Sequence, residues 1–393
     1  MQKSSESIYT LQFALVCLSS FLFSASFNML IPELPAYLTA MGGAHYKGLI
    51  IALFTLTAGI SRPFSGKLTD TIGRVPVMAV GSMVCFVCGF LYPVLTTVAG
   101  FLLLRLVHGF STGFKPTATA AYVADLVPVH RWGEAMGVHG VCFSTGLAIG
   151  PAIGSLITDH FSIDILFYSS SLFALMSIVI LANMKETLPD KQKFKFSLLK
   201  ISRKDIIEWR VIPATVIIFM SYISYGAILT VISDWSGHLG TSNKGLFFMV
   251  FTITSLLIRF VAGKASDQYG RIVILKVSLV LLAVAMLWIG FAGSSFSLMA
   301  ASALYGIATG MLSPTATAWT VDLSDPEHRG KAMATMYIAL EAGIGVGALL
   351  AGWLFISDIS MIPVIFYCCS AVTLLALLYL QYGYRAKKWS RDL

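Results

Sequence analysis

Long apolar segments alternate with short polar ones along the whole chain of 393 residues. Twelve of the apolar segments reach the length of about 20 residues that an α-helix needs to cross a membrane. Gly and Pro interrupt several of them, which membrane helices tolerate where neighbouring helices satisfy the freed backbone groups. The segments lie at 11–36, 47–65, 75–95, 98–122, 135–157, 163–184, 210–233, 245–263, 272–292, 296–319, 332–354 and 360–381. The pattern predicts an all-α membrane protein with twelve transmembrane helices, called spans one to twelve below.

The second half of the chain repeats the first. Residues 66–74, which follow span two, read GKLTDTIGR and return after span eight as GKASDQYGR at 263–271, an offset of 197 residues. Asp125 returns at the same offset as Asp322. A repeat at half the chain length indicates that one unit has been duplicated. Six spans per half give both copies the same orientation, which predicts two parallel repeats with a binding site between them.

Three regions follow from this repeat. An N-terminal six-helix bundle occupies 1–184, a linker occupies 185–209, and a C-terminal six-helix bundle with its tail occupies 210–393. The linker mixes basic residues with Phe, Leu and Ile, and part of it is expected to lie as an amphipathic segment on an anionic membrane surface.

The charge of the chain supports a membrane location and an orientation. Hydrophobic residues make up 57% of the chain and charged residues only 12%, about half the share usual in soluble proteins. All 27 Lys and Arg residues except Lys47, Lys244, Arg105 and Lys115 are placed on the side that holds both termini and the linker. The positive-inside rule makes this side cytoplasmic, so the net charge of +8 orients the protein and does not indicate nucleic-acid binding.

The sequence offers no signature of enzyme chemistry. All six Cys residues lie in apolar segments, and the C-x-x-C pair of Cys85 and Cys88 has no nearby His, so packing is expected rather than metal or redox chemistry. No nucleophile–base pair is evident, and neither copy of the repeated motif contains the G-K-S or G-K-T element of a phosphate loop. We therefore expect no cofactor, no metal site and no enzymatic activity.

The repeated motif resembles the loop signature G-x-L-x-D-x-x-G-R of the major facilitator superfamily, and the resemblance covers essentially the whole chain. Residues 146–154 in span five, GLAIGPAIG, resemble the G-x-x-x-G-P-x-x-G signature of its drug:proton antiporter branch, although Ser155 stands where a second Gly is usual. Residues 105–109 resemble the R-x-x-Q-G element of the same branch, with His108 in place of Gln. The resemblance implies twelve helices that give alternating access to a central cavity lined by spans one, four, seven and ten.

Two sets of motif residues gain expected roles from this resemblance. In the family the repeated motif latches the two halves together on the cytoplasmic side, with a local turn cap as the alternative role. Gly66 and Gly73 are expected to permit a tight turn there. In span five, small residues at a spacing of four let another helix approach closely, and a hinge role stays open beside this packing role. The latch residues are Gly66, Asp70, Gly73, Arg74, Asp267 and Arg271, and the span-five residues are Gly146, Gly150, Pro151 and Gly154.

Span four carries a polar stripe at membrane depth. Its members recur at helical spacing, and an ionisable group at the centre of a span costs at least ~2.5 kcal/mol, so a function is expected. Because the family lines its cavity with span four, the stripe is expected to face the cavity, and its two cations favour an anionic or zwitterionic substrate. His108 either relays a proton or packs as a hydrogen-bonded core residue. The candidate residues are Arg105, His108, Thr112 and Lys115.

Acidic candidates for proton coupling are fewer. Glu33 lies near the outer end of span one, and Glu341 lies deep in span eleven among several glycines. Many drug:proton antiporters of the family have an Asp four residues before the first Pro of span one, where this chain has Asn28. Asn cannot take up a proton, so we expect Glu33 or Glu341 to carry it instead.

These features predict a secondary transporter that works by alternating access. The expected activity is proton-coupled export of a small amphipathic molecule or drug, carried out by a monomer in the cell membrane. Its partners are then the substrate, protons and the lipid bilayer. An uptake symporter or facilitator for an organic anion is the alternative, and a membrane-embedded enzyme or receptor is a remote one.

Overall fold

The computed structural model describes residues 9–128, 131–195, 198, 207–324, 329–355 and 358–383. Within these ranges the chain forms twelve long α-helices, one short α-helix and no strand. Each predicted span overlaps one long helix, so the predicted all-α fold class is confirmed. The helices are α1 (Leu11–Asn28), α2 (Leu34–Ala40, the short one), α3 (Lys47–Thr71), α4 (Arg74–Leu91), α5 (Val98–Leu126), α6 (Trp132–His160), α7 (Ile163–Ala182), α8 (Ile212–His238), α9 (Leu246–Tyr269), α10 (Arg271–Phe291), α11 (Ser295–Leu323), α12 (Arg329–Phe355) and α13 (Ile362–Leu378).

Most of the long helices can cross a membrane by length and composition. In the described part of the chain ten of them meet this criterion, and α9, which bends by 46°, is an eleventh candidate. The twelfth, α5, does not meet it because Arg105, His108 and Lys115 lower its hydropathy. This helix packs against α3 and α4 inside the first bundle, where protein neighbours replace lipid around its polar side chains.

The first predicted span is too long at its C-terminal end. Helix α1 stops at Asn28, and the chain turns before it enters α2 at Leu34. Pro35 lies in the first turn of α2, where its missing N–H costs no helical hydrogen bond. The boundary predicted at residue 36 is therefore wrong, and Glu33 lies in the turn between the two helices.

The repeated motif is more helical than its resemblance to a loop suggests. Helix α3 continues to Thr71, so Gly66 is a helical residue and the chain turns only at Ile72 and Gly73. Gly73 and its copy Gly270 have φ angles of 130° and 88°, a region that favours glycine. The expected turn role of Gly66 is therefore wrong, whereas Gly73 and Gly270 make the turn possible.

Much of the predicted linker, residues 196–197 and 199–206, lies outside the described residues, and its expected amphipathic part stays a prediction. Its first residues dock on the first bundle, because the Glu186 carboxylate accepts hydrogen bonds from the backbone N–H groups of Arg74 and Val75, each at 3.0 Å. A carboxylate at the N-terminus of a helix satisfies N–H groups that lack a helical partner and suits the helix dipole. The linker thus begins as a fixed part of the first bundle.

The two halves repeat the same packing. In the first half α1 packs on α6, α3 packs on α5, and α4 packs on both α5 and α7. In the second half α8 packs on α12, α9 packs on α11, and α10 packs on both α11 and α13. Across the interface α3 packs on α12 and α6 packs on α9. Because α9 is the copy of α3 and α12 is the copy of α6, the repeat relates these two contacts to each other. The parallel repeats predicted from the offset of 197 residues are confirmed.

The span-five motif packs α6 closely on α1. A Cβ atom added at Gly154 would collide with the carbonyl group of Met29, and one added at Gly150 would lie 3.0 Å from a carbonyl oxygen of α1. Gly146 faces the backbone of the same helix. The three glycines therefore lie in a close helix–helix contact, and the hinge role of Pro151 stays a prediction.

Lys115 lies in the core of the first bundle, with only 1% of its surface exposed. Its ammonium donates to the backbone oxygen and the hydroxyl of Ser19 at 3.1 and 2.8 Å, to the Ser82 hydroxyl at 3.0 Å, and to the Ser177 hydroxyl. The expectation that Lys115 faces the cavity is wrong. Ten residues of α-helix turn its side chain by about 80° from that of Arg105, away from the cavity and toward α1, α4 and α7.

His108 points into the same core, about 60° round α5 from Arg105. Its Nδ1 lies 3.1 Å from the Tyr92 hydroxyl and its Nε2 lies 3.2 Å from the Cys85 sulfur. The Tyr92 hydroxyl also accepts a hydrogen bond from Arg105 at 3.3 Å, so this phenol connects His108 to Arg105. The expected cavity position of His108 is wrong. Its contacts fit a hydrogen-bonded packing residue, and the proton relay stays a prediction.

Two related ion pairs join the halves at the membrane face opposite the motifs. We call the face with the two motifs the motif side and the other face the Lys47 side. Lys47 at the start of α3 lies 2.9 and 3.1 Å from the two carboxylate oxygens of Asp234 in α8. Lys244, the copy of Lys47, lies 3.5 Å from Glu33. The Lys47 side is thus closed by two ion pairs whose lysines are copies of each other.

The close contact of α6 with α1 predicts an unequal response to two substitutions in α6. Gly154→Ala should lower the free energy of unfolding by about 1–3 kcal/mol, because the new methyl group meets the backbone of Met29. Gly137→Ala is the matched control, since a Cβ atom there meets nothing within 4 Å and Ala is the better helix former. Thermal unfolding of the purified variants in detergent measures the difference. Equal melting temperatures would show that the contact carries no energy.

Candidate substrate cavity

A cavity of about 930 Å³ lies between the two halves. Its wall is formed by residues of α1, α3, α5 and α6 from the first half and of α8 and α12 from the second. Lys67, Asp70 and Lys331 line it at the motif side, and Ile31 and Ile51 line it toward the Lys47 side. Because the two ion pairs close the Lys47 side, the cavity opens toward the motif side.

The wall is mostly apolar. Phe27, Phe54, Phe143, Leu147 and Leu229 are among its residues, and a few charged groups interrupt this apolar surface. Ligand sites in proteins of this volume are typically lined by hydrophobic and aromatic side chains with a small number of placed polar groups. The cavity therefore fits an amphipathic molecule of drug size.

Arg105 places a guanidinium group in the wall of the cavity. Its side chain is 2% exposed, its Nε donates to the backbone oxygen of Ile50 at 2.9 Å, and its Nη1 donates to the Tyr92 hydroxyl. The guanidinium also lies over the ring of Phe54, 4.5 Å from its centroid. Among the residues that the structure describes, no carboxylate pairs with Arg105. A buried cation held by neutral groups attracts an anionic ligand.

Asn28 and Thr112 also line the cavity, as the sequence predicts. The Asn28 amide donates to the backbone oxygen of Ser24 at 2.8 Å, and the Thr112 hydroxyl donates to that of Gly109 at 3.1 Å. Each side chain keeps an oxygen that can accept a further hydrogen bond. These residues can orient a ligand, but neither carries a charge at neutral pH.

One ion pair crosses the cavity between the two halves. Nη2 of Arg62 in α3 lies 2.6 Å from Oε1 of Glu341 in α12, and both residues line the cavity. The guanidinium of Arg62 lies over the ring of Tyr337, 4.8 Å from its centroid. Both charges are mostly buried, with 16% of the Arg62 side chain and 10% of the Glu341 side chain exposed. Of the two predicted proton carriers, Glu341 is thus the one in the cavity.

Sequence reasoning missed Arg62 because it ended span two too early. A span that ended at residue 65 would place Arg62 at the membrane edge. Helix α3 instead runs on to Thr71, so Arg62 lies about 13 Å from the end of the helix. The repeat offers the signal that could have found it, since Arg62 returns at the offset of 197 residues as Arg259. An arginine at the same depth of both halves indicates a functional position, since a charge inside a membrane needs a partner.

Glu33 lies outside the cavity wall described above. It is 5% exposed, accepts a hydrogen bond from the Ser155 hydroxyl at 2.7 Å, and faces Lys244 across the interface. These contacts place it in the closed Lys47 side. The sequence predicted Glu33 as a substrate-site or coupling residue, and the structure gives it a position in the contact between the halves instead.

The latch residues form the same cluster in each half. Arg74 lies 3.2 Å from Asp70 and 3.0 Å from Asp125. Their copies repeat the arrangement, with Arg271 at 2.5 Å from Asp267 and 3.0 Å from Asp322. Every one of these ion pairs stays within its own half, while the cavity opens between the two clusters. A contact of either cluster with the opposite half stays a prediction for a state in which the motif side is closed.

The described residues contain no group of three or more His, Cys, Asp or Glu side chains placed to hold a metal ion. The chemistry available in the cavity is therefore that of its guanidinium groups, one buried carboxylate, amide and hydroxyl groups and aromatic rings. Such groups bind and orient a molecule and exchange a proton.

Comparison with known proteins agrees with this architecture. The profile of the Major Facilitator Superfamily matches the chain twice, at residues 16–213 and 214–392, which are its two halves. A multi-drug resistance efflux pump PmrA homolog of Lactococcus lactis is 26% identical over 347 residues, with 84% of each chain covered. The quinolone resistance protein NorA of Staphylococcus aureus is 25% identical over 352 residues, covering 85% of this chain and 87% of NorA.

A solved structure shares the fold. The crystal structure of the human organic anion transporter MFSD10 superposes with a TM-score of 0.72 at 21% identity, covering 94% of this chain and 98% of the other. The two profile matches span almost the whole sequence, the helices pair as parallel repeats, and a cavity lies between them. The protein is thus a multi-pass membrane transporter and not an enzyme, and it belongs to the Major Facilitator Superfamily.

Proposed function

We propose that this transporter exports a small amphipathic molecule from the cell in exchange for protons, by alternating access between its halves. The observation that carries the proposal is the ion pair of Arg62 and Glu341, which joins the two halves inside the cavity. The names of the two bacterial relatives, an efflux pump and a quinolone resistance protein, support the outward direction. So does the resemblance of residues 146–154 to the antiporter signature.

The orientation of the protein follows from its positive charges. Most Lys and Arg residues belong to the motif side, and the positive-inside rule makes that side cytoplasmic. Both termini and the linker then lie in the cytoplasm, and the protein lies in the cell (inner) membrane. In this orientation the cavity opens to the cytoplasm, which is where an exporter must load its substrate. One chain supplies the whole cavity, so we propose that it acts as a monomer.

Glu341 is the proposed proton carrier. Its carboxylate is mostly buried, lines the cavity and faces one guanidinium group, so protonation removes its charge and weakens the contact between α3 and α12. An exchange mechanism needs a group that responds to protons at the place where the two halves and the substrate meet. Asn28 cannot serve, and Glu33 lies in the closed Lys47 side.

The two ion pairs of the Lys47 side are the proposed outer gate. They join α3 to α8, and the loop just before α9 to the turn before α2, so both must separate when the cavity opens outward. The pair of Lys47 and Asp234 is the stronger, since two short contacts hold it and the Lys47 side chain is only 5% exposed. The clusters around Arg74 and Arg271 are then the proposed latch that closes the cytoplasmic side.

A second candidate function is cotransport of an organic anion with protons. The specific observation in its favour is Arg105, a buried guanidinium in the cavity wall with no carboxylate partner among the described residues. An anionic group at this position would supply the charge that the site lacks. A flux assay in proteoliposomes separates the two candidates by the direction in which a proton gradient drives the substrate.

Substitution of Glu341 tests the proposed coupling. In proteoliposomes with an imposed pH gradient, the native protein should accumulate norfloxacin, a quinolone, in the compartment from which protons leave. Glu341→Gln should abolish this accumulation and keep exchange of norfloxacin without a gradient, because the cavity remains but cannot take up the proton. Glu33→Gln is the control and should keep the response to the gradient.

Two results of this assay contradict the proposal. Accumulation on the side to which protons flow would favour cotransport over exchange. An unchanged response in Glu341→Gln, with a loss in Glu33→Gln, would identify Glu33 at the Lys47 side as the proton carrier.

The outer gate predicts a shift in access. Lys47→Gln should raise the labelling rate of a cysteine introduced at Ile51 by an impermeant maleimide added outside, in a background without the native cysteines. Loss of an interaction worth about 1 kcal/mol shifts a two-state population by about fivefold, which sets the expected change in rate. Lys191→Gln, on the exposed linker, is the control and should label as before. Equal rates in all three proteins would show that the Lys47 pair does not hold the gate.

A further inference from the structure

We infer that Arg62 binds the acidic group of an organic anion, and that protonation of Glu341 makes Arg62 available, so that anion and proton bind together. This rests on the proposed function in that it takes the cavity as the substrate site and Glu341 as the proton carrier. It goes further because it fixes the sign of the coupling for a given charge on the substrate.

Arg62 has bonding capacity that Glu341 does not use. A guanidinium group carries five N–H donors in a planar fork that suits a carboxylate with two hydrogen bonds. In the structure Glu341 is held through one contact, from Nη2 to Oε1 at 2.6 Å, and Nε of Arg62 is buried without a hydrogen-bond partner. A buried donor without a partner is unfavourable, so a second acceptor at Arg62 would gain what the present pair leaves unsatisfied.

The repeat shows that the carboxylate is the unusual member of the pair. Arg62 has a copy in Arg259, but the position that corresponds to Glu341 at the offset of 197 residues is Ser144. The described residues include no ion pair of Arg259. The duplication thus places an arginine at this depth in both halves. Of the two arginines, only Arg62 faces an acid in the part of the chain that the structure describes; this acid is Glu341, whereas Ser144 stands at the corresponding position of the other half. An acid in that place acts as an internal competitor for an anion.

Neutralising Glu341 changes the charge of the whole wall. The charged residues that line the cavity are Arg62, Lys67, Arg105, Lys331, Asp70 and Glu341. With Glu341 protonated, four cations face one carboxylate, and that carboxylate, Asp70, lies at the mouth. Arg105 then provides a second guanidinium for the same anion or for another polar group of it.

The groups around Glu341 leave Arg62 as its charged partner. Arg62 faces it from α3, and the phenols of Tyr222 and Tyr225 on α8 interact with it electrostatically. Tyr337, on the same helix as Glu341, lies under the Arg62 guanidinium, and Arg259 on α9 interacts electrostatically with Tyr222. The phenols are neutral at physiological pH, so the balance at Arg62 is between Glu341 and a ligand anion.

The sign of the coupling follows from competition. A ligand anion and a proton each break the same ion pair, so either one favours binding of the other, and linkage makes the effect reciprocal. A ligand cation does the opposite, because it and the proton compete for the Glu341 carboxylate. One ion pair therefore cotransports anions with protons and exchanges cations against them.

Three ligands with one ring system and different charges test this directly. We would titrate the purified full-length protein with 1-naphthoate, 1-naphthylmethanol and 1-naphthylmethylammonium between pH 8 and pH 6 by calorimetry. Naphthoate should bind more tightly as pH falls, by up to about tenfold per pH unit for one linked proton, and the ammonium should bind less tightly. The alcohol should show no dependence on pH. Two buffers of different ionisation enthalpy count the proton that naphthoate brings with it.

Variants identify the residues responsible. Glu341→Gln should bind naphthoate at pH 8 more tightly than the native protein does and with little change between pH 8 and pH 6, and Arg62→Gln should bind it weakly at both. Arg259→Gln is the matched control and should behave as the native protein. Naphthoate affinity that does not change with pH, or that survives in Arg62→Gln, would overturn the inference even if norfloxacin flux still follows the proton gradient. Failure of all three ligands to bind would overturn the proposed cavity and this inference with it.

Discussion

A charged side chain is costly inside a membrane unless it is paired. The ion pair of Arg62 and Glu341 satisfies this requirement with one residue from each half of the transporter, and it thereby joins the two halves. Each residue alone would be a mostly buried, uncompensated charge in the cavity wall. Together they tie α3 to α12 across the interface at membrane depth. Whatever breaks the pair, a proton or a charged ligand, must also replace the interaction that it removes, and this requirement couples binding to the contact between the halves.

Duplication organises the rest of the structure around that pair. The contacts proposed to move in an alternating-access cycle follow the repeat in large part. The cluster of Arg74 corresponds to that of Arg271, and Lys47 corresponds to Lys244, although their acidic partners Asp234 and Glu33 lie at different positions of the repeat. The charged groups in the cavity do not follow the repeat, since Arg105 has no charged copy and the position that corresponds to Glu341 is Ser144. The residues proposed to close the two sides of the cavity are thus largely repeated in both halves, whereas the charged residues of the substrate cavity differ between the halves.

The sequence predicted the fold well because membrane helices and duplication both leave long-range patterns. It predicted the site less well because helical periodicity gives a stripe but not its limits. Arg105 and Lys115 lie on one broad polar face of α5, yet one lines the cavity and the other is held by serines of α1, α4 and α7. Arg62 was missed because the hydropathy of span two ends before α3 does. Pairing across the interface depends on tertiary contacts that no local pattern contains.

The central claim is that Glu341 takes up a proton when an anion occupies Arg62. Infrared difference spectroscopy of the purified protein measures this directly, because a protonated carboxyl group has a C=O stretching band that a carboxylate lacks. Addition of 1-naphthoate near neutral pH should produce such a band in the native protein and not in Glu341→Gln. A native protein that binds naphthoate without the band, or a band that persists in Glu341→Gln, would contradict the account.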